Sequence, residues 1–127
     1  MLLDFVGPLN TGLATGGAGV ATANKTGTVP IRGKLLGFQV RYNDSPPATT
    51  DVTIEVTGGA LPTRTLLTLT NLTADGFFPV RAGAITPVNV AITNSFVPLP
   101  LIDDKIKVTI AQANDNDSVD VWAVVER

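Results

Sequence analysis

The acidic stretch "NDNDSVD" near the end of the chain is the best candidate for metal chemistry in this sequence. It holds Asp115, Asp117 and Asp120 together with two asparagines. Calcium prefers several oxygen ligands from one loop. The glycine of the EF-hand pattern is missing, however, and no glutamate follows at the required distance. The stretch is therefore either a weak calcium site or an Asx-rich hairpin turn, and the turn preferences of Asn and Asp alone account for it.

Two other short motifs suggest chemistry. The adjacent carboxylates of Asp103 and Asp104 would share a proton if they pointed the same way. Neighbours on a strand point to opposite faces, so a solvated turn before Lys105 is the simpler interpretation. The glycine-rich "ATGGAGVA" lacks the Lys and Ser/Thr of a phosphate-binding loop. Neither motif predicts a catalytic site.

The composition removes most conventional active sites. The chain has no histidine and no cysteine, which excludes a disulfide framework, a thiolate zinc site, a cysteine nucleophile and a Ser-His pair. An enzyme would have to rely on Asp, Glu, Lys or Tyr in a pocket. We therefore expect a protein that is not an enzyme and that has neither a cofactor nor a small-molecule substrate.

The charge pattern narrows the class of partner. There are 9 Lys and Arg against 11 Asp and Glu, giving a formal net charge of -2, and no basic run stands out. This argues against nucleic acid as a partner.

No stretch reaches the roughly 20 apolar residues that span a bilayer, and the N-terminus does not resemble a signal peptide. We expect no membrane contact and synthesis in the cytoplasm. A charged fraction of only 16% suits a surface that is pressed against another protein.

Alternation of apolar and polar residues dominates the chain and predicts β-strands. The clearest strands are "KLLGFQVRY", "DVTIEVT", "KIKVTIAQ" and "SVDVWAVVE", and weaker candidates are 4–6, 19–29, 65–70, 77–81 and 88–93. Turn residues separate nearly all of them, and no window has a helical apolar pattern. Short strands at this spacing predict an all-β antiparallel sandwich of jelly-roll type with about eight to nine strands. We expect one domain, 1–127.

Local features refine this prediction. Alternation in 34–42 places Leu36 with the inward residues of its strand and Leu35 on the opposite face. Pro79 lies inside a strand, which predicts an edge or a bulge. The opening residues, to about 18, are rich in glycine and predict a flexible arm that could form an interface. Pro98 and Pro100 predict that "SFVPLPLIDD" is a second extended arm rather than a central strand.

The whole chain resembles the capsid cement or decoration proteins of bacteriophage heads that have a jelly-roll fold. The matching features are the opening "TGGAGVATANKTGTVPIRGKLLGFQVRY", then "DVTIEVTG", then "LLTLTNLTADGFFPVRA", and finally "LPLIDDKIKVTIAQANDNDSVDVWAVVE". The most specific part is "LLTLTN" leading through an aromatic residue to "PVR". In this resemblance the segment 64–84 is a hairpin that fills the sandwich.

The resemblance implies a mechanical function. The chain would bind the outside of the major capsid protein lattice as a homo-oligomer, a trimer or dimer, and stabilise the head against internal DNA pressure. It would be found on the exterior of the phage head in the virion. The contact residues expected from the two apolar arms are Leu2, Leu3, Asp4, Phe5, Val6, Phe96, Val97, Leu99 and Leu101. The alternative for each arm is that its apolar residues close the domain's own core.

A second function stays open from the sequence. The chain could be a phage tail or receptor-binding module that recognises a host glycan through aromatic side chains. The candidates for such a platform are Tyr42, Phe77, Phe78 and Trp122. Because aromatic residues make up only 6% of the chain, we expect the core to need most of them.

Overall fold

Nine β-strands make up the regular structure in the computed structural model, which describes residues 2–59, 62–85 and 91–127. For residues 81–85 and 91–98 it describes the backbone but not the side chains. Their bounds are β1 (Leu3–Asn10), β2 (Ala21–Thr26), β3 (Ile31–Asn43), β4 (Asp51–Thr57), β5 (Arg64–Leu69), β6 (Gly76–Pro79), β7 (Arg81–Ile85), β8 (Ala91–Ala113) and β9 (Ser118–Glu126). Among the described residues no helix is long and apolar enough to cross a membrane.

The strands fold into two antiparallel layers. One layer has the order β1-β9-β3-β6 and the other has the order β2-β8-β4-β5. The long strand β8 joins the layers, because its middle pairs with the start of β3 and its last third pairs with β4. Its first part pairs with β7. This arrangement confirms the predicted all-β sandwich of jelly-roll type with eight to nine strands.

The core lies between the layers and follows from strand alternation. In β4 and β9 every second residue is a buried Val, Ile or Ala, as the sequence predicts. Both strands have the predicted bounds. The largest fully buried apolar side chains are Phe38, Leu35, Ile54, Ile110, Val40, Val52, Val56, Val108, Val119, Val121 and Val125. One contiguous cluster from both layers therefore stabilises the domain.

The face prediction for the start of β3 is wrong by one residue. Leu35 is fully buried, whereas Leu36 is only half-buried. Leu35 lies opposite Val125 and Gly37 lies opposite Val124, so Leu36 is an extra residue in the ladder. This β-bulge reverses the alternation at one point. Downstream of it Phe38, Val40 and Tyr42 point inward, as predicted.

The two predicted arms are strands in the structure. Residues 3–10 form β1, which pairs with β9, and the interpretation of this part as a flexible arm is wrong. The proline-rich segment belongs to β8, where Pro100 lies opposite Lys34 of β3. Among the described residues, Phe96, Val97 and Pro98 pair with β7, whereas Leu99 and Pro100 pair with β3 alone. A proline there removes no hydrogen bond from the ladder, which explains why the segment is a strand despite its prolines.

The segment 64–84 does not form the predicted hairpin. Its first strand, β5, pairs with β4 in one layer, and β6 pairs with β3 in the other layer. The chain therefore crosses between layers through 70–75. Pro79 ends β6, whose pairing among the described residues is with β3 alone, so the predicted edge strand is confirmed. Most of the predicted strand 88–93 lies outside the described residues, and β8 begins at Ala91.

Candidate binding surface

The outer face of the β1-β9-β3-β6 layer gathers apolar side chains from β1, β9 and β6 around Gln39 of β3. Phe5 lies opposite Val124 on β9, and Trp122 lies opposite Gln39 on β3. Gln39 in turn lies opposite Phe77 on β6. Residues opposite one another in an antiparallel ladder share a face. We call this surface the aromatic face, and it consists of Leu3, Phe5, Gln39, Phe77, Trp122 and Val124.

The exposed members of the aromatic face are Leu3, Phe5 and Phe77, whereas Gln39 and Trp122 are half-buried and Val124 is buried. Phe5 is 74% exposed, Leu3 is 52% exposed and Phe77 is 47% exposed. Between Phe5, Gln39 and Trp122 lies a shallow depression of about 240 Å³. Exposed large apolar side chains that form one contiguous patch are typical of surfaces that bind another molecule.

Gly37 lies against β6, where a side chain would meet both the backbone oxygen of Phe78 and the ring of Phe77. A Cβ atom at position 37 would come within 2.6 Å of Cζ of Phe77. Any larger residue at this position would therefore have to displace the ring. The absence of a side chain at Gly37 therefore leaves room for the Phe77 ring and for the close approach of β6.

A polar cluster borders the aromatic face. The carboxylate of Asp120 on β9 accepts hydrogen bonds from Asn10 Nδ2 (2.7 Å), from Arg41 Nη2 (2.7 Å) and from Asn43 Nδ2 (3.0 Å). The Arg41 guanidinium also lies 5.4 Å from the ring centroid of Trp122. Asp120 is thus a polar clamp that joins β1, β9 and β3. Arg41 links this clamp to the aromatic face through a cation–π contact.

The Asp120 carboxylate is held in its ionised form. Burial alone would raise the pKa of Asp120, but hydrogen bonds from Asn10, Asn43 and Arg41, with the positive charge of Arg41, hold the pKa below its ordinary value. Charge-assisted hydrogen bonds of this kind are stronger than neutral ones. The polar border of the aromatic face is therefore charged and ordered at neutral pH.

The predicted N-terminal contact residues fall into an exposed group and a group whose side chains contact the chain itself. Leu3 and Phe5 of β1 and Leu2, just before β1, are exposed, as a contact with another molecule would require. Asp4 forms an ion pair with Arg127 (Oδ2 to Nε, 2.9 Å). Val6 packs partly against the core, so the alternative interpretation, closing the domain's own core, applies to it.

The predicted contact residues of the proline-rich segment do not form a free surface where the structure describes them. Leu101 is buried in the core at 2% exposure, so its prediction as a contact residue is wrong. Leu99 packs partly against the same core. The side chains of Phe96 and Val97 lie outside what the structure describes, and their backbone pairs with β7.

The aromatic candidates for a glycan platform separate into two pairs. Trp122 and Phe77 are on the aromatic face, whereas Phe78 packs against the core. Tyr42 is buried, and burial, together with the charges of Asp75 and Asp51, raises its pKa to about 12. Phe5 joins the exposed pair, and sequence reasoning missed it in this context because nothing local indicates that β1 lies beside β9.

The three aspartates of the calcium candidate have separate roles. Asp117 accepts a hydrogen bond from the backbone N–H of Asn114 (2.8 Å) and holds the turn. Asp120 is the polar clamp, and Asp115 is exposed in the turn itself. Within the described residues no group of three or more His, Cys, Asp or Glu could hold a metal ion. The turn connects β8 with β9 in the other layer, so the predicted Asx-rich turn is present but it is not a hairpin.

The predicted solvated turn at Asp103 and Asp104 is wrong. Both residues lie within β8, where Asp103 adopts a left-handed φ of 56° and its exposed carboxylate binds Arg32 through two hydrogen bonds of 2.6 and 2.7 Å. Asp104 is fully buried and lies 3.5 Å from Nη2 of Arg64. The left-handed residue lies where β8 passes from one layer to the other, which neighbouring sequence does not reveal.

Comparisons with protein-family models, with curated proteins and with solved structures find no match to this chain.

Proposed function

We propose that this chain is a structural protein of the bacteriophage virion, a capsid cement or decoration protein that binds the outer surface of the major capsid lattice. The observation that carries the proposal is the aromatic face, where Phe5, Phe77 and Trp122 lie together on one exposed side of a jelly roll. Its partner is inferred from the order of sequence motifs that resembles decoration proteins. In this function the aromatic face docks on the capsid and the Asp120 cluster forms its polar rim.

The composition of the aromatic face suits protein binding. Aromatic residues and Arg are enriched at the centres of protein interfaces, while charged groups are concentrated at the rim. Here the rings occupy the centre and the ion pair of Arg41 with Asp120 lies at the border. Burial of the rings supplies affinity, and the polar border supplies orientation.

Many weak contacts of this kind would stabilise a shell. A ligand that binds only the assembled, expanded lattice stabilises that state by mass action. Each copy adds its own contribution, so moderate affinity at one site becomes a large total over a lattice. The proposed function is mechanical reinforcement of the head against the pressure of packaged DNA.

The aromatic face predicts the effect of one substitution on head binding. Trp122→Ala should weaken binding to undecorated heads by about 2 kcal/mol or more, roughly 30-fold, because a central aromatic anchor is removed. The measurement is a pelleting isotherm with purified heads. Val20→Ala is the matched control, since Val20 is 68% exposed on the connection between β1 and β2. Equal affinities of the two variants, both folded by circular dichroism, would contradict docking through the aromatic face.

A second candidate function is a tail or receptor-binding module that recognises a host glycan. The depression between Phe5, Gln39 and Trp122 favours it, because sugar rings stack on aromatic faces and their hydroxyls bind amide and guanidinium groups. We expect no saturable binding on an array of bacterial surface saccharides. A saccharide that binds wild-type protein and not Trp122→Ala, together with no binding to heads, would replace the head function with this one.

A further inference from the structure

The outer edge of β1 carries unpaired backbone hydrogen-bonding groups. Among the described residues β1 pairs with β9 alone. Leu2 and Arg127 exchange both backbone hydrogen bonds, with N to O distances of 3.2 and 2.8 Å. In an antiparallel ladder such pairs alternate with pairs whose N–H and C=O groups point away. The backbone groups of Leu3 and Phe5 therefore point away from β9 and towards the free edge.

The first half of this edge, residues 3–6, lacks the devices that usually keep strand edges apart, whereas Pro8 and a bulge between Val6 and Leu9 interrupt the second half. Exposed edges are commonly protected by Lys, Pro or other charges. The edge strand β2 has Lys25, β5 begins with Arg64, and β6 ends in Pro79. On β1 the exposed residues Leu3 and Phe5 are apolar.

The charged side chain of β1 already forms an ion pair within its own chain. Asp4 is the sole charged residue of β1, and its carboxylate is paired with the Arg127 side chain of the neighbouring strand end (2.9 Å). The edge therefore carries no net charge that would repel an identical edge. It is complementary to itself in both hydrogen bonding and charge.

We propose that a second copy of this chain adds to β1 along its free edge, antiparallel, with Phe5 opposite Phe5 across a two-fold axis. In this register the two Phe5 residues exchange N–H···O=C bonds, and Asp4 of each copy lies opposite Val6 of the other. The neighbouring register would place the two Asp4 residues opposite one another, and like charges in that position are destabilising. A two-fold axis uses the same patch from both copies, as in most soluble dimers.

The pairing would unite two aromatic faces into one surface. The layer β1-β9-β3-β6 of one copy would continue into the same layer of the other through β1. The rings of Phe5 would meet at the centre, with Trp122 and Phe77 of each copy on either side. The inference goes beyond head docking, because it names a contact between copies that forms without a capsid.

The backbone part of the contact is tested by proline. The N–H of Phe5 points away from β9, so Phe5→Pro removes no hydrogen bond from the chain's own sheet and removes both central bonds of the dimer. Phe5→Ala is the control, since it loses the same ring and keeps the N–H. In sedimentation equilibrium we expect dimeric wild-type protein and a dissociation constant at least about tenfold higher for Phe5→Pro than for Phe5→Ala. A monomeric or trimeric wild-type protein, or equal constants for folded variants, would overturn the proposal.

The register is tested by cysteine cross-linking, which is clean because the chain has no cysteine of its own. Opposite residues of a hydrogen-bonded pair have Cα atoms about 5.5 Å apart, within the range of a disulfide. Phe5→Cys should therefore oxidise rapidly to a linked dimer, while Asp4→Cys and the β5 variant Thr65→Cys should not. Faster linkage through either control position would overturn the proposed pairing. Head binding is measured separately by comparing Phe5→Pro with Phe5→Ala, which lack the same ring, so the dimer and the head function can fail independently.

Discussion

Replacing Phe38 with alanine should lower the free energy of unfolding by about 3–5 kcal/mol. Phe38 is the largest fully buried side chain among the described residues and lies at the centre of β3, between β9 and β6. Its removal loses the transfer free energy of the ring and leaves a cavity that both layers line. Urea denaturation monitored by Trp122 fluorescence measures the loss.

Phe77→Ala is the matched control for the core prediction. Phe77 has the same side chain on the adjacent strand β6, yet it is 47% exposed on the aromatic face. We expect its replacement to cost about 1 kcal/mol or less, because much of the ring is already in water. Equal losses for the two variants would contradict the assignment of Phe38 to the core and of Phe77 to the surface.

Replacing Asp120 with asparagine should cost about 2 kcal/mol at neutral pH, because three donors lose a charged acceptor. The loss should depend on pH with a definite sign. The pKa of Asp120 lies below its ordinary value of 3.8 in the folded protein, so ionisation stabilises the fold above that value. The contribution disappears as the pH falls through the lower, folded pKa. The difference in unfolding free energy between wild type and variant should be constant above about pH 5 and shrink below pH 3.8.

Asp103→Asn is the exposed counterpart of Asp120→Asn. Comparing the two variants tests whether burial of the carboxylate determines how much stability its removal costs. Hydrogen bonds from Arg32 also lower the pKa of Asp103, but both side chains are largely exposed. Asparagine tolerates the left-handed backbone at this position. We expect a smaller change in urea midpoint than for Asp120→Asn, because solvent screens an exposed pair. Equal losses of stability at neutral pH for the two variants would contradict the assignment of Asp120 as a stabilising polar clamp.

The fold could be predicted from the sequence wherever alternation is undisturbed. The strands 51–57 and 118–126 are found at their predicted bounds, because each alternates without a bulge. The prediction failed at Leu35 and Leu36, where an inserted residue reverses the faces, and in the segment around Pro100, where proline is tolerated because one side of the strand is open. Both errors depend on pairing partners far away in the sequence.

The candidate surface could be predicted only in part. Alternation in β9 places Trp122 on the face opposite the core, and Phe5, which the sequence predicts as a contact residue, is exposed. That Phe5 and Trp122 belong to one surface depends on the register of β1 against β9. No local sequence signal sets this register. The clamp at Asp120 was missed for the same reason, since its donors come from two other strands.

The most direct test of the central proposal is to mix purified protein with purified undecorated phage heads, pellet the heads and measure the bound protein per major capsid subunit. The proposed function predicts saturable binding at a fixed lattice ratio, a higher rupture temperature of the decorated heads, and loss of both effects with Trp122→Ala. Absence of saturable binding to heads by folded wild-type protein would contradict it.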